Sequence, residues 1–328
     1  MHGANPLVVE VTLPVMGGVL VPIGGAEDKA GPAAVLARFV ALAGGGRASI
    51  VVISTASSLG DEITGVYLRV FDGLGAARVV GMRPETRAEA EDPRLAAAVG
   101  ESTGVFMTGG NQVKLATALG GTRLGAAIRA AHERGAVVGG TSAGASALAR
   151  HMISFGAEGA TPKQRMSQLS AGLGLLDGVV IDQHFQQRNR IGRLLSLVAA
   201  SPELLGIGLD ENTAAVIGPD GVAEVVGRGV LTVVDGRHLV TNSATAKRTE
   251  PLLVSGAVLH TLPAGSRFDL PARTLLAGPG VPDAAASAGR VRLTTLADVP
   301  ANLRPRPRRI RAEGAHGDQY HPHEEASE

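Results

Sequence analysis

The sequence predicts a doubly wound α/β fold, and three observations carry that expectation. Short apolar runs without the in–out alternation of a half-exposed sheet recur through the first half of the 328-residue chain. Each run ends in glycine or a small polar residue, and stretches with helical spacing lie between the runs. Strands buried on both faces and alternating with helices build a mostly parallel sheet covered on both sides. In such a fold the active site sits at the carboxyl ends of the strands.

The elements follow in order. Residues 19–25 (VLVPIGG) read as a strand ending in a turn, and the Ala/Leu-rich residues 32–42 as a helix. Residues 49–54 (SIVVIS), 104–110 (GVFMTGG) and 136–140 (AVVGG) repeat the strand pattern. Leu124, Ala127, Ile128 and Ala131 recur at i, i+3, i+4 and i+7, the stripe of an amphipathic helix stopped at Gly135. After about residue 179 the chain becomes β-rich, with strands expected at 179–182, 207–210, 214–217 and 223–234, and a closing strand over 253–260. Residues 1–300 are expected to form a single hydrolytic domain. Residues 301–328 read as a flexible charged tail: Arg304, Arg306, Arg308, Arg309 and Arg311 stand among prolines ahead of an acidic, His-bearing end.

Composition narrows the function. Lys and Arg number 31 against 30 Asp and Glu, so no global field draws the molecule to nucleic acid or an anionic membrane. Aromatics make up 2% and Trp is absent, which argues against a stacking platform for single strands. The cysteine count is 0, and that removes disulfides, thiolate metal sites and every cysteine nucleophile. No run approaches the ~20 apolar residues of a membrane span. Nor does the beginning of the chain read as a signal peptide. A cytoplasmic enzyme is expected.

Gly140-Thr141-Ser142-Ala143-Gly144 fits the G-x-S-x-G elbow. It follows an expected buried strand and precedes an Ala-rich stretch, 143–149, able to start a helix. The chemistry needs that context. The serine sits on a strained turn where side chains on its neighbours would clash, and free N–H groups at the helix start can hold an oxyanion. Among 45 glycines, a match to the pattern alone would often be structural punctuation.

The densest polar stretch, 181–193 (IDQHFQQRNRIGR), places His184 just past an expected strand end. Histidine is the side chain whose ordinary pKa suits taking and returning a proton near neutrality. The other eight histidines lie in the tail, at the chain start, at a charged helix end, after the elbow helix or in the β-rich half. Ile191, Leu194, Leu195 and Val198 continue as a helix, with Arg190 and Arg193 neighbours on one face. Arginines beside His184 favour its neutral form and offer bidentate sites for carboxylates, unless nearby acids such as Asp182 simply pair them.

With Asp182-Gln183-His184-Phe185 followed by Arg188, Arg190, Gly192 and Arg193, the chain resembles the cyanophycinases, a branch of the serine peptidases related to aspartyl dipeptidase (peptidase E). The motifs 23–29 (IGGAEDK), 106–112 (FMTGGNQ), 140–145 (GTSAGA) and 208–214 (GLDENTA) agree in order, and the resemblance covers roughly residues 18–275. It implies a flavodoxin-like fold, a homodimer, and neither metal nor organic cofactor. The implied substrate is cyanophycin, a poly-aspartate backbone with arginine on each side-chain carboxyl, cut to release β-aspartyl-arginine. Carried over by position, Ser142 is the nucleophile and His184 the base, and Gln112, Asp182, Gln183, Arg188, Arg190 and Arg193 match the substrate pocket. A zwitterionic repeat requires both signs of charge in its pocket.

The expected chemistry is acyl transfer, with the oxyanion held by the N–H groups of Ala143 and Gly110. For the acid behind His184 the resemblance favours Glu158, on a glycine-loosened loop; Asp210 and Glu211, at another strand end, compete. Asp28 and Lys29 either line the cleft or cap a turn. An isoaspartyl or aspartyl dipeptidase of the peptidase E type, and a catalytically silent binding protein on the same scaffold, are the competing functions. A glutamine amidotransferase-like subunit would need a cysteine at the elbow.

Overall fold

The structure, a computed structural model, describes residues 17–281. The expected tail and the first residues of the chain lie outside them. Five strands run parallel: β1 (Leu20–Ile23), β2 (Ser49–Ile53), β3 (Arg78–Met82), β4 (Gly104–Met107) and β5 (Val137–Thr141), in the spatial order β1-β5-β4-β2-β3. Helices α1 (Ala34–Leu42), α2 (Asp61–Gly73), α3 (Pro93–Gly100), α4 (Gln112–Leu119) and α5 (Arg123–Glu133) connect them.

Alternate strand residues feed two separate cores, which is why these runs lack alternation in the sequence. Val21, Ile23, Ile50, Val52 and Phe106 join Leu36 and Phe39 of α1 and Phe71 of α2. Leu20, Val51, Ile53, Val105 and Met107 join Leu115 of α4 and Leu124 and Ile128 of α5 on the opposite face. Half of the eight aromatic side chains meet in the first core: Phe39, Tyr67, Phe71 and Phe106 have ring centroids 5.0–6.0 Å apart. Strand β3 escapes a sequence reading because it is the sheet edge, opening on an exposed arginine with only Met82 fully buried.

The short helix α6 (Ala143–Leu148) leads from β5 into a hairpin of β6 (His151–Gly156) and β7 (Ser167–Ala171). Next, β8 (Val179–Gln183) and β9 (Leu205–Leu209) pair in parallel, joined through α7 (Ile191–Ala200). The chain then returns to the large sheet. Strand β10 (Thr213–Ile217) lies antiparallel on the free edge of β1, followed by β11 (Val222–Gly227). The run expected over 223–234 is therefore two strands, because β12 (Val230–Asp235) crosses back to pair with β9.

A small ribbon, β13 (Val240–Thr241) with β14 (Val254–Ser255), precedes β15 (Val258–Pro263), which closes the second sheet against β12. Gly256, at φ +77°, breaks the single closing strand expected over 253–260 into β14 and β15. Finally β16 (Arg267–Asp269) and β17 (Thr274–Ala277) extend the large sheet to nine strands. Parallel α/β layers with a β-rich C-terminal portion match the expected class. Among the described residues no helix is long and apolar enough to cross a membrane.

Candidate active site

The site is assembled at the end of β1. Three successive carbonyls there accept three N–H groups from distant parts of the chain. Ile23 O takes Ser142 N at 2.9 Å, Gly24 O takes His184 N at 2.8 Å, and Gly25 O takes Asn212 N at 2.8 Å. All three donors hold left-handed backbones, with φ of +52° at Ser142, +47° at His184 and +51° at Asn212. Such geometry costs about 1–3 kcal/mol per residue and persists only where the surroundings over-determine it. The Gly24-Gly25 turn makes the approach possible. A Cβ on Gly24 would stand 2.0 Å from the Asp210 carbonyl oxygen, and one on Gly25 would stand 2.3 Å from the His184 ring.

Ser142 sits between the last residue of β5 and the first of α6, the strand-to-helix elbow that the sequence motif requires. Gly144 lets α6 pack against β4, since a Cβ there would lie 2.3 Å from the Met107 carbonyl oxygen. Ser142 Oγ is 2.9 Å from His184 Nε2 and 3.3 Å from Gln183 Oε1. His184 Nδ1 is 2.6 Å from Glu211 Oε1. A carboxylate only accepts, so Nδ1 carries the proton and Nε2 is left to receive the one on Ser142. Burial pulls the His184 pKa below that of a free imidazole; Glu211 opposes the shift, while Arg188 and Arg190 add to it.

The expectation of Glu158 behind His184 is not met. Glu158 is exposed, and its carboxylate lies 3.7 Å from Arg190 Nη2. Asp210, the other competitor, is buried with its two oxygens taken by the N–H groups of Gln186 and Val230, each at 3.1 Å. The carboxylate on His184 therefore comes from the residue after β9's terminal turn, in the 208–214 motif. No spacing in the sequence distinguishes Glu211 from Asp210. Only the direction of each side chain does.

The charged cluster is also arranged differently from expectation. Asp182 does not reach the cavity beside Ser142. It is 1% exposed and takes Arg193 Nε at 2.5 Å, Arg193 Nη2, Arg190 Nη1 at 3.3 Å and the Gln183 N–H at 2.9 Å. It is the counter-ion of two buried arginines, so its carboxylate is already occupied. Gln183 links that knot to the elbow, its Oε1 accepting from Arg190 Nη1 at 3.0 Å as well as facing Ser142. Arg188 is exposed and makes no ion pair among the described residues. Gln112, at the first position of α4, gives its amide to Ile153 O at 2.9 Å and Ser154 O at 3.4 Å, which ties it to β6.

A cavity of about 540 Å³ opens over Ser142 and His184, lined among others by Gln112, Gln183, Arg188, Arg190 and Arg193. Gly110 also lines it, and Ala143, first residue of α6, has an N–H without an intrahelical partner. The cavity lining also holds a group that sequence reasoning missed. Glu27 is buried and takes hydrogen bonds from Tyr67 Oη and Thr141 Oγ1, with Lys29 Nζ at 2.8 Å. Burial, with Glu27 adding to it, raises the Tyr67 pKa, so the phenol remains a donor. Lys29 lines the cleft, whereas Asp28 caps the turn, accepting from Gly31 N at 2.8 Å and Ala30 N at 3.0 Å. The position of Glu27 just past a strand-ending Gly-Gly was the available signal.

Comparison with known proteins agrees with this architecture. The model of the family described as Peptidase family S51 matches residues 20–225. The chain is 42% identical over 256 residues to a cyanophycinase of Trichormus variabilis, covering 77% of this chain and 86% of that protein. It is 39% identical over 258 residues to a cyanophycinase of Geminocystis herdmanii, covering 78% and 95%. Among solved structures, a peptidase from an acI-B1 Actinobacterium shares the fold, with a TM-score of 0.55 at 23% identity over 75% of this chain and 98% of that one.

Proposed function

The chain belongs to peptidase family S51 and is a serine-type peptidase, and on that premise we propose that it hydrolyses cyanophycin through Ser142, His184 and Glu211. The observation that carries the assignment of roles is the continuous relay from Ser142 Oγ to His184 Nε2 at 2.9 Å and from His184 Nδ1 to Glu211 at 2.6 Å.

His184 takes the Ser142 proton as Oγ attacks a backbone carbonyl of the polymer. The new C–O bond pushes the carbonyl electrons onto oxygen, which the N–H groups of Ala143 and Gly110 receive. The intermediate collapses, the C–N bond breaks, and His184 hands its proton to the departing amine. Water, deprotonated by His184, then cleaves the ester and returns Ser142 to its starting state. Glu211 keeps the imidazole in the tautomer this cycle needs and stabilises it when charged. Arg188, with Arg190 and Arg193 behind it, supplies the positive field for the carboxylates of the arginine branches. Asp182 serves by holding the two buried guanidiniums in place.

A homodimer without metal or organic cofactor belongs to the same proposal, supported by the family resemblance, and a cytoplasmic location and a single hydrolytic domain over residues 1–300 belong to it as readings of the sequence. Incubating the purified protein with cyanophycin and weighing the products tests the proposal. Release of β-aspartyl-arginine is expected, and its loss in Ser142→Ala. Cleavage of Asp-Xaa dipeptides with cyanophycin untouched would point to an aspartyl dipeptidase instead. Unchanged turnover in Ser142→Ala would remove the serine mechanism.

A further inference from the structure

Five of the six phenylalanines are buried, Phe39, Phe71, Phe106, Phe185 and Phe268 all at 3% exposure or less. The sixth, Phe155, is 68% exposed and lines the cavity over Ser142. Leaving a large ring in water forfeits the gain of burying it, so its position calls for a reason.

The backbone of β6 is shaped to present it. In the ladder with β7, Ile153 pairs with Leu169 and Phe155 with Gln168, so Ser154 is an extra, bulged residue. Regular alternation would put Phe155 on the same face as Ile153, which is 2% exposed and packed in the core. The bulge turns Phe155 off that face, and its exposed ring joins the neighbouring residues of β6 in lining the cavity. Gln112 fastens the bulge from α4 through its amide on Ile153 O and Ser154 O.

The charges around the ring show what it lacks and what it suits. Among the described residues lining the cavity the one acid is Glu27, already holding Tyr67, Thr141 and Lys29, while Lys29, Arg188, Arg190 and Arg193 are cationic. A carboxylate entering this cavity is well served. A cationic group entering it finds no free carboxylate on the wall, and an aromatic face is the attractive surface left to it.

We propose that Phe155 is a specificity residue that stacks on the guanidinium of a substrate arginine, and that Gln112 is a positioning residue acting through the bulge. The inference rests on the cyanophycin reading above and names how that substrate's cation is recognised. Planar guanidinium stacks on an aromatic face in a way that a compact, strongly hydrated ammonium does not.

The test compares wild type with Phe155→Ala, Phe155→Leu and Phe155→Tyr on cyanophycin and on the same polymer carrying lysine in place of arginine. Phe155→Ala is expected to raise KM on the arginine polymer roughly 3- to 30-fold with kcat nearly unchanged, and to affect the lysine polymer less. Tyr should restore KM and Leu should not. Gln112→Ala should raise KM in wild type but add little in the Phe155→Ala background. An unchanged KM in Phe155→Ala, or full rescue by Leu, overturns the proposal while leaving the cyanophycin reading intact. A wild-type protein that never releases β-aspartyl-arginine fails at the earlier step and removes both.

Discussion

His184 Nδ1 lies 2.6 Å from Glu211 Oε1, although the two residues are 27 apart in the chain and sit at the ends of neighbouring strands, β8 and β9. The parallel pairing of Gln183 with Leu209 sets that proximity, since each residue of the pair follows its strand by one or two positions. The imidazole is thus oriented by the sheet itself, while Glu158 stands off at Arg190.

Exchanging the two acids separates them. Glu211→Gln should lower kcat by roughly 10³–10⁴, as when the acid of a triad is neutralised and the wrong tautomer is favoured. Glu158→Gln, which disturbs a half-exposed ion pair at 3.7 Å, should change kcat by less than about threefold. Steady-state rates on cyanophycin decide between them, and a larger effect at Glu158 would reverse the assignment.

The pH dependence follows from the charge around His184. Burial disfavours the imidazolium, and although Glu211 opposes it, the positive charges of Arg188 and Arg190 add to it, so the His184 pKa lies below that of a free imidazole. The acid limb of kcat/KM should therefore fall below the ordinary histidine value of about 6.5. Removing a nearby cation makes protonation easier, so Arg188→Gln should move that limb to higher pH. A limb that stays in place or moves down would show that Arg188 does not act on His184.

The Asp182 knot predicts stability rather than rate. Asp182→Ala strands two guanidiniums that are 7% exposed or less, and breaking a buried pair in this way typically costs about 3–5 kcal/mol. Denaturant unfolding of the variant should show that loss at unchanged m. A loss under ~1 kcal/mol would mean that water or local rearrangement replaces the carboxylate.

Gly24 offers a steric test. Its added Cβ would meet the Asp210 carbonyl oxygen at 2.0 Å, backbone against backbone with nothing flexible to yield. Gly24→Ala should cost about 1–3 kcal/mol and displace His184 from Ser142, abolishing turnover. Gly73→Ala, at the end of α2 with nothing within 4 Å, should leave stability equal or raised by about 0.4–1 kcal/mol. Equal tolerance at both positions would contradict the packing described at the end of β1.

By itself the sequence pointed to the layer architecture, the strand-to-helix elbow and the proposed base. Buried parallel strands are written as unbroken apolar runs, so the strands read at 49–54 and 136–140 fall within a residue of β2 and β5. A strained serine announces itself through the glycines it needs, and His184 stood out by its polar company at a strand end. These are local signals, carried by residues next to one another.

Tertiary structure decided the rest, because the remaining questions concern which way a side chain points and what it meets from elsewhere in the chain. Glu211 and Asp210 are adjacent in sequence, yet one faces His184 and the other two backbone N–H groups. Asp182 reads as a pocket acid until Arg190 and Arg193 fold back onto it. The bulge at Ser154 leaves no mark in the residue pattern, and Glu27 has meaning only once Tyr67, Thr141 and Lys29 surround it. Burial makes each of these pairings obligatory, since a charge removed from water must find a partner, and which partner it finds is set by the packing of elements far apart in the chain.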